Sequence, residues 1–140
     1  MWFEREVPKW TQKLLGTCAE WLATKYEVHH TITVNVPASG YILLEGDEKQ
    51  SYGLFGYLNE EPHIPMIWIA GYWYYWKGKL ADTRLEAQAH LLDTLIHEFI
   101  HYEQWRDGRS LNHRGLNRRV DSLARRFYYD HQEYTAVMVQ

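Results

Sequence analysis

The stretch HEFIH at 97–101 sets two histidines four positions apart, with a glutamate directly after the first. On a helix each residue advances about 100°, so His97 and His101 stand about 40° apart and project from one face, a single turn apart. Two imidazole nitrogens then reach one ion. Glu98 falls beside that face, too far round to ligate and well set to hydrogen-bond a water at the ion, while Phe99 and Ile100 turn to the core. The spacing suits zinc-assisted hydrolysis with Glu98 as general base. The competing reading is a plain buried helix whose histidines bond backbone carbonyls. Against it, the preceding DTLI is largely apolar, and two imidazoles and a carboxylate buried there without an ion are costly.

A catalytic zinc keeps three protein ligands and an open fourth position. With one cysteine, Cys18, the chain has neither an internal disulfide nor a cysteine-ligated zinc ribbon, so the donors are nitrogen or oxygen. Three downstream residues are candidates for the third ligand. Glu103 lies about 200° round the helix from His101 and points away. Asp121 is suitably distant in sequence for an acidic ligand, but sits about 140° from Leu116, off the buried face of its own helix. His113 lies about 60° from Leu116, after a turn at 106–112 that can fold the chain back. It is the favoured third ligand, with Asp121 the alternative. Asp93, one turn before His97, is a candidate partner for a ligating ring. Tyr128, Tyr129 and Arg118 are candidates for stabilising an oxyanion. His29, His30, His63, His90 and His131 have no spacing that argues for ligation.

The elements that must position this set follow from periodicity. Thr83 and Glu86 form a capping-box pattern that opens a helix; Leu85, Ala89, Leu92, Ile96 and Phe99 give its buried stripe, and Gly108 ends it after Arg106. A following helix, expected to start near Asn112 or His113, buries Leu116, Val120, Leu123 and Phe127. Upstream, Pro8 opens a helix running to about Tyr26 with Trp10, Leu14, Cys18 and Trp21 on one face. Residues 30–36 alternate with period two, and short strand candidates follow at 41–45, 52–58 and 65–71. Helix, strands, then two helices reads as an α+β fold.

At 140 residues the chain is long enough for one domain, taken as 1–140, and its 46% apolar content is too high for a disordered chain. The charged start MWFEREVPKW lacks the apolar core of a secretory signal, and the apolar run at 64–76 is too short and aromatic to span a bilayer, so a cytoplasmic protein without membrane contact is expected. Seven arginines against two acids between Trp105 and Arg126 give a local charge of +5, a face that is either simply solvated or attractive to nucleic acid. The aromatic segment GYWYYWKGK at 71–79 fits a core edge or the wall of a peptide cleft better than a base-stacking platform.

The run HEFIHYEQWRDGRSLNHRGLNRRV resembles the active-site segment of the SprT-like metallopeptidases: H-E-x-x-H, a short glycine-containing turn, then a third histidine. The twelve-residue step from His101 to His113 and the His101-Tyr102 pair are similar to bacterial members in particular. Motif agreement covers about 90–120, while the earlier chain agrees only in organisation. The resemblance implies zinc at His97, His101 and His113, Glu98 as catalytic carboxylate, and a minimal zincin-like domain. That domain has an N-terminal helix, a small, mostly antiparallel sheet, the motif helix and a C-terminal helix. An edge strand, either 65–71 or the one before it, would pair with a protein or peptide substrate. The family is linked to proteolysis of DNA-bound proteins; with no zinc ribbon here, any DNA contact falls to the arginine-rich last helix. The sequence thus supports two function classes, a zinc peptidase and a non-catalytic, zinc-organised module that binds nucleic acid or protein. Glu98 separates them, because a structural site needs no base.

Overall fold

A computed structural model describes residues 1–43, 51–71 and 83–134. The order is β1 (Trp2–Phe3), α1 (Lys9–Lys25), β2 (Thr33–Val36), β3 (Gly53–Tyr57), β4 (Pro65–Ile69), α2 (Arg84–Arg106) and α3 (Leu116–Asp130). This is an α+β arrangement, as the patterning predicts. The aromatic segment beyond Gly71 and residues 44–45 of the strand expected at 41–45 lie outside the described residues; within 41–43, Ile42 forms an isolated antiparallel bridge with Ser51.

The sheet corrects the expectation of a mostly antiparallel one. Its order is β1-β2-β4-β3. Both β1–β2 and β2–β4 are parallel, and β3–β4 is antiparallel. The cause lies in the connections. Helix α1 carries the chain back between β1 and β2, as a parallel pair requires, and β3 takes the outer edge as the first arm of a hairpin with β4. Strand β1 is two residues long, too short to show a period, so its parallel pairing with β2 leaves no signal in the sequence. Of the two strands expected to offer an edge, β4 is interior and β3 is the edge.

Strand β4 alternates regularly: Pro65, Ile67 and Ile69 are buried, with Met66 and Trp68 half-buried between them. Its buried face joins Val34 and Val36 of β2, Leu14, Leu15, Cys18 and Leu22 of α1, and Leu91, Leu92, Leu95, Ile96 and Phe99 of α2 in one core. Thr83 caps α2 as expected, accepting from the Glu86 amide at 3.2 Å, and Gly108, at φ 70°, follows its end. Helix α3 starts later than expected. The Asn112 side chain accepts from the Arg114 amide at 3.0 Å, and Gly115 takes φ 69° at the N-cap, so 112–115 form a turn outside the helix.

Helix α3 seals the other side of α2. Phe127, fully buried, stacks on His131 with centroids 4.4 Å apart and meets the edge of Trp21 at 5.6 Å. Trp21 Nε1 in turn donates to Asp130 Oδ2 at 2.8 Å. Phe127→Ala is expected to lower unfolding stability by about 3–5 kcal/mol in chemical denaturation; a loss below 1 kcal/mol would show that this contact does not hold α3 in place.

Candidate metal centre

The second half of α2 is covered on every side, with residues 98–104 all buried. Against that background His97 and His101 open into a groove of about 600 Å³, bounded by β3, α2, the turn before α3 and the first part of α3. The turn brings His113 to them. One ligand nitrogen from each of His97, His101 and His113 lies within 4.8 Å of the other two. Ring centroids are 4.9 Å (His97–His101), 5.4 Å (His97–His113) and 5.1 Å (His101–His113) apart. The favoured trio is therefore brought together. His113 does so from the turn, exposed, rather than from the first turn of a helix as expected.

The donor set fits a divalent transition ion. Neutral imidazoles suit zinc, and three of them leave a fourth position open. The surroundings also disfavour a proton on His97. Burial, and then the neighbouring His101 and His113, push His97 down to about 4, so near neutrality it presents a bare lone pair.

Glu98 stands beside the trio. It is 5% exposed, lines the groove, and among the described residues no hydrogen-bond donor reaches its carboxylate. Burial alone pushes it up to about 7. The strand opposite explains how it fits: a side chain at Gly53 would put its Cβ 2.6 Å from Thr94 Cγ2 and 3.1 Å from Glu98 Cγ, so glycine lets β3 cross α2 here without displacing those side chains.

Other expected roles sort clearly. Glu103 does point away, and pairs with Arg119 at 3.1 Å. Asp121 is outside the three-histidine group but lines the same groove, as does Asp93. Burial and the Asp121 charge raise Asp93 to about 6. The hydrogen-bond partner of a motif histidine is not Asp93 but Gln104, whose Oε1 lies 2.9 Å from His101 Nδ1. Sequence reading missed Gln104, although its place three residues beyond His101, one turn on, was the available signal. Tyr128, Tyr129 and Arg118 do not line the groove; Asn117 and Tyr52 do. His30, set aside in the sequence, bonds the fully buried Tyr102 hydroxyl through Nδ1 at 2.9 Å and packs on Trp105 with centroids 4.8 Å apart.

Comparison of the chain with protein-family models, with curated proteins and with solved structures finds no match. Function rests on the groove itself.

The raised Glu98 pKa has a sign that can be measured. In metal-free protein the folded state holds this proton more tightly than the unfolded chain, so the contribution to stability is fully present below about pH 4.5 and lost as pH rises through about 7. Metal-free Glu98→Gln is expected to match wild type at pH 4 and to exceed it by about 3 kcal/mol above pH 7 in denaturant unfolding. A gap that does not widen with pH would remove burial as the cause.

Proposed function

We propose that the chain is a zinc-dependent endopeptidase of SprT-like type, with zinc held by His97, His101 and His113 and with Glu98 as general base. The observation that carries the reading is a buried carboxylate, without a described hydrogen-bond donor, beside three convergent imidazoles in an open groove. A structural metal site has no use for such a group.

The chemistry that zinc supplies when bound is Lewis acidity, which lowers the pKa of water and polarises a carbonyl. The remaining work belongs to side chains. Glu98, raised to about 7 by burial, is poised to accept a proton from the attacking water near neutral pH and to return it to the departing amine. Gly53 keeps the β3 backbone close to that carboxylate. Asn117 and Tyr52 face the same space and are better placed than Arg118 to donate to a developing oxyanion. The outer edge of β3 offers backbone groups to an extended peptide, which suits a protein or peptide substrate.

One observation favours a second element. Arg114, Arg118, Arg125 and Arg126 are exposed, and among the described residues none enters an ion pair, which leaves a cationic face on α3 and the turn before it. It supports contact with DNA or a DNA-bound protein, either beside the peptidase activity or, in a non-catalytic zinc-organised module, instead of it. No described helix is long and apolar enough to cross a membrane.

The test compares wild type and Glu98→Gln for zinc content and for cleavage of an unfolded protein. Both are expected to bind zinc, and only wild type to cleave, with Glu98→Gln at least about 100-fold slower. Equal cleavage by both removes Glu98 as base; cleavage by neither, with tight DNA binding, selects the non-catalytic module. His113→Ala is expected to lose most zinc affinity and Asp121→Ala to keep it, and the reverse result would transfer the third ligand to Asp121.

A further inference from the structure

Gln104 is 94% shielded, with a relative exposure of 6%, and every polar atom of its side chain is used. Its Oε1 accepts from the Asn112 amide at 3.3 Å and lies 2.9 Å from His101 Nδ1. Its Nε2 donates to the Asn112 carbonyl at 3.1 Å. Which way the amide faces follows from these partners. A carbonyl accepts only, so the Asn112 oxygen must meet the NH₂ end, and the Asn112 N–H must meet the oxygen. Oxygen is therefore what His101 Nδ1 meets. An imidazole nitrogen beside a carbonyl oxygen is a donor, so Nδ1 carries a proton, and in the neutral ring Nε2 is then the bare lone pair.

The same contacts act on the third histidine. Both backbone groups of Asn112 are clamped to α2 by one side chain, and His113 is the next residue. Its exposure means that packing does not fix it. What fixes the approach of this turn is the Asn112 clamp, helped by the Arg109 amide donating to the Gln104 carbonyl at 2.8 Å and by the Asn112 side chain bonding Ser110 and Arg114 on either side.

We propose that Gln104 is the positioning residue of the metal centre, holding His101 in its Nδ1–H tautomer and delivering His113 to the same point by clamping Asn112. The inference rests on reading the three histidines as a zinc site, and it deepens that reading: two of the three ligands are set by one residue that touches neither ion nor substrate. Glutamate at 104 keeps the acceptor for His101 and for the Asn112 amide but loses the donor to the Asn112 carbonyl, whereas leucine keeps bulk and loses all three bonds.

Two measurements test this without reference to hydrolysis. Long-range ¹H–¹⁵N correlation of metal-free wild type is expected to show His101 protonated at Nδ1. Chelator competition is expected to show zinc bound roughly 10–100-fold more weakly by Gln104→Leu, and the affinity partly restored in Gln104→Glu. A His101 protonated at Nε2, an unchanged affinity in Gln104→Leu, or an equal loss in both variants would overturn the proposal. If Gln104→Leu does not fold, the wild-type tautomer and the retained affinity of Gln104→Glu decide. A wild type that binds zinc and cleaves nothing would sink the peptidase reading and leave these readouts unaffected.

Discussion

Everything in this fold turns on the burial of the second half of α2 from all sides. Sheet, α1, α3 and the turn after α2 close round it, so that 98–104 contain no exposed residue although five of the seven carry polar side-chain groups. A buried polar group without a partner costs on the order of 1–3 kcal/mol, and a buried charge costs more. Most of these groups are accordingly satisfied. Tyr102 accepts from the His29 amide at 3.1 Å and bonds His30; Glu103 takes Arg119; Gln104 takes His101 and Asn112. All of these bonds except the one between Gln104 and His101 also tie α2 to another part of the chain, so satisfying the helix and closing the fold are largely one process.

The groups left over define the site. Once Gln104 has used His101 Nδ1, Nε2 is free; His97 opens into the groove; Glu98 has no described donor. A stretch of helix that meets most of its polar obligations, yet leaves two ring nitrogens and one carboxylate converging with His113 on a groove, is spending stability there. Local inconsistency of that kind in an otherwise consistent structure is the physical mark of a functional site. The strain is electrostatic. Burial and the neighbouring rings hold His97 without its proton near neutral pH, and the Glu98 carboxylate sits where its charge is poorly solvated, an arrangement that a divalent cation would relieve on both counts.

Much of this was legible in the letters because helices announce themselves over long windows. The cap at Thr83, the stop near Gly108 and the 3.6-residue stripe locate α2 closely, and fixed helical geometry then puts His97 and His101 on one face. His113 could be argued from its angle to Leu116, although the helix in that argument starts three residues later than it assumed. The sheet was less readable. A two-residue strand such as β1 has no periodicity, and whether neighbours pair parallel or antiparallel depends on a crossover through α1 that no local pattern encodes. Contacts such as Gln104 with Asn112 or Gly53 beneath Glu98 join distant or differently shaped elements, and their signals, a polar residue one turn past a histidine and a glycine in a strand, are common elsewhere.

Gly53 shows how tightly the two halves of the site depend on each other. A peptide added to β3 would have to lie within reach of Glu98, which requires the strand to cross α2 at the motif itself. A Cβ at 53 would press to 2.6 Å on Thr94 Cγ2 and 3.1 Å on Glu98 Cγ, so strand or side chains would have to shift, and both atoms belong to the helix that carries the histidines. The absent side chain therefore sets the spacing between the edge where substrate would dock and the carboxylate that would act on it. Burial of α2 fixes where the base stands; the glycine fixes how near the substrate edge can come. On the proposed chemistry both conditions must hold together, since a base one ångström too far from its water loses most of its effect.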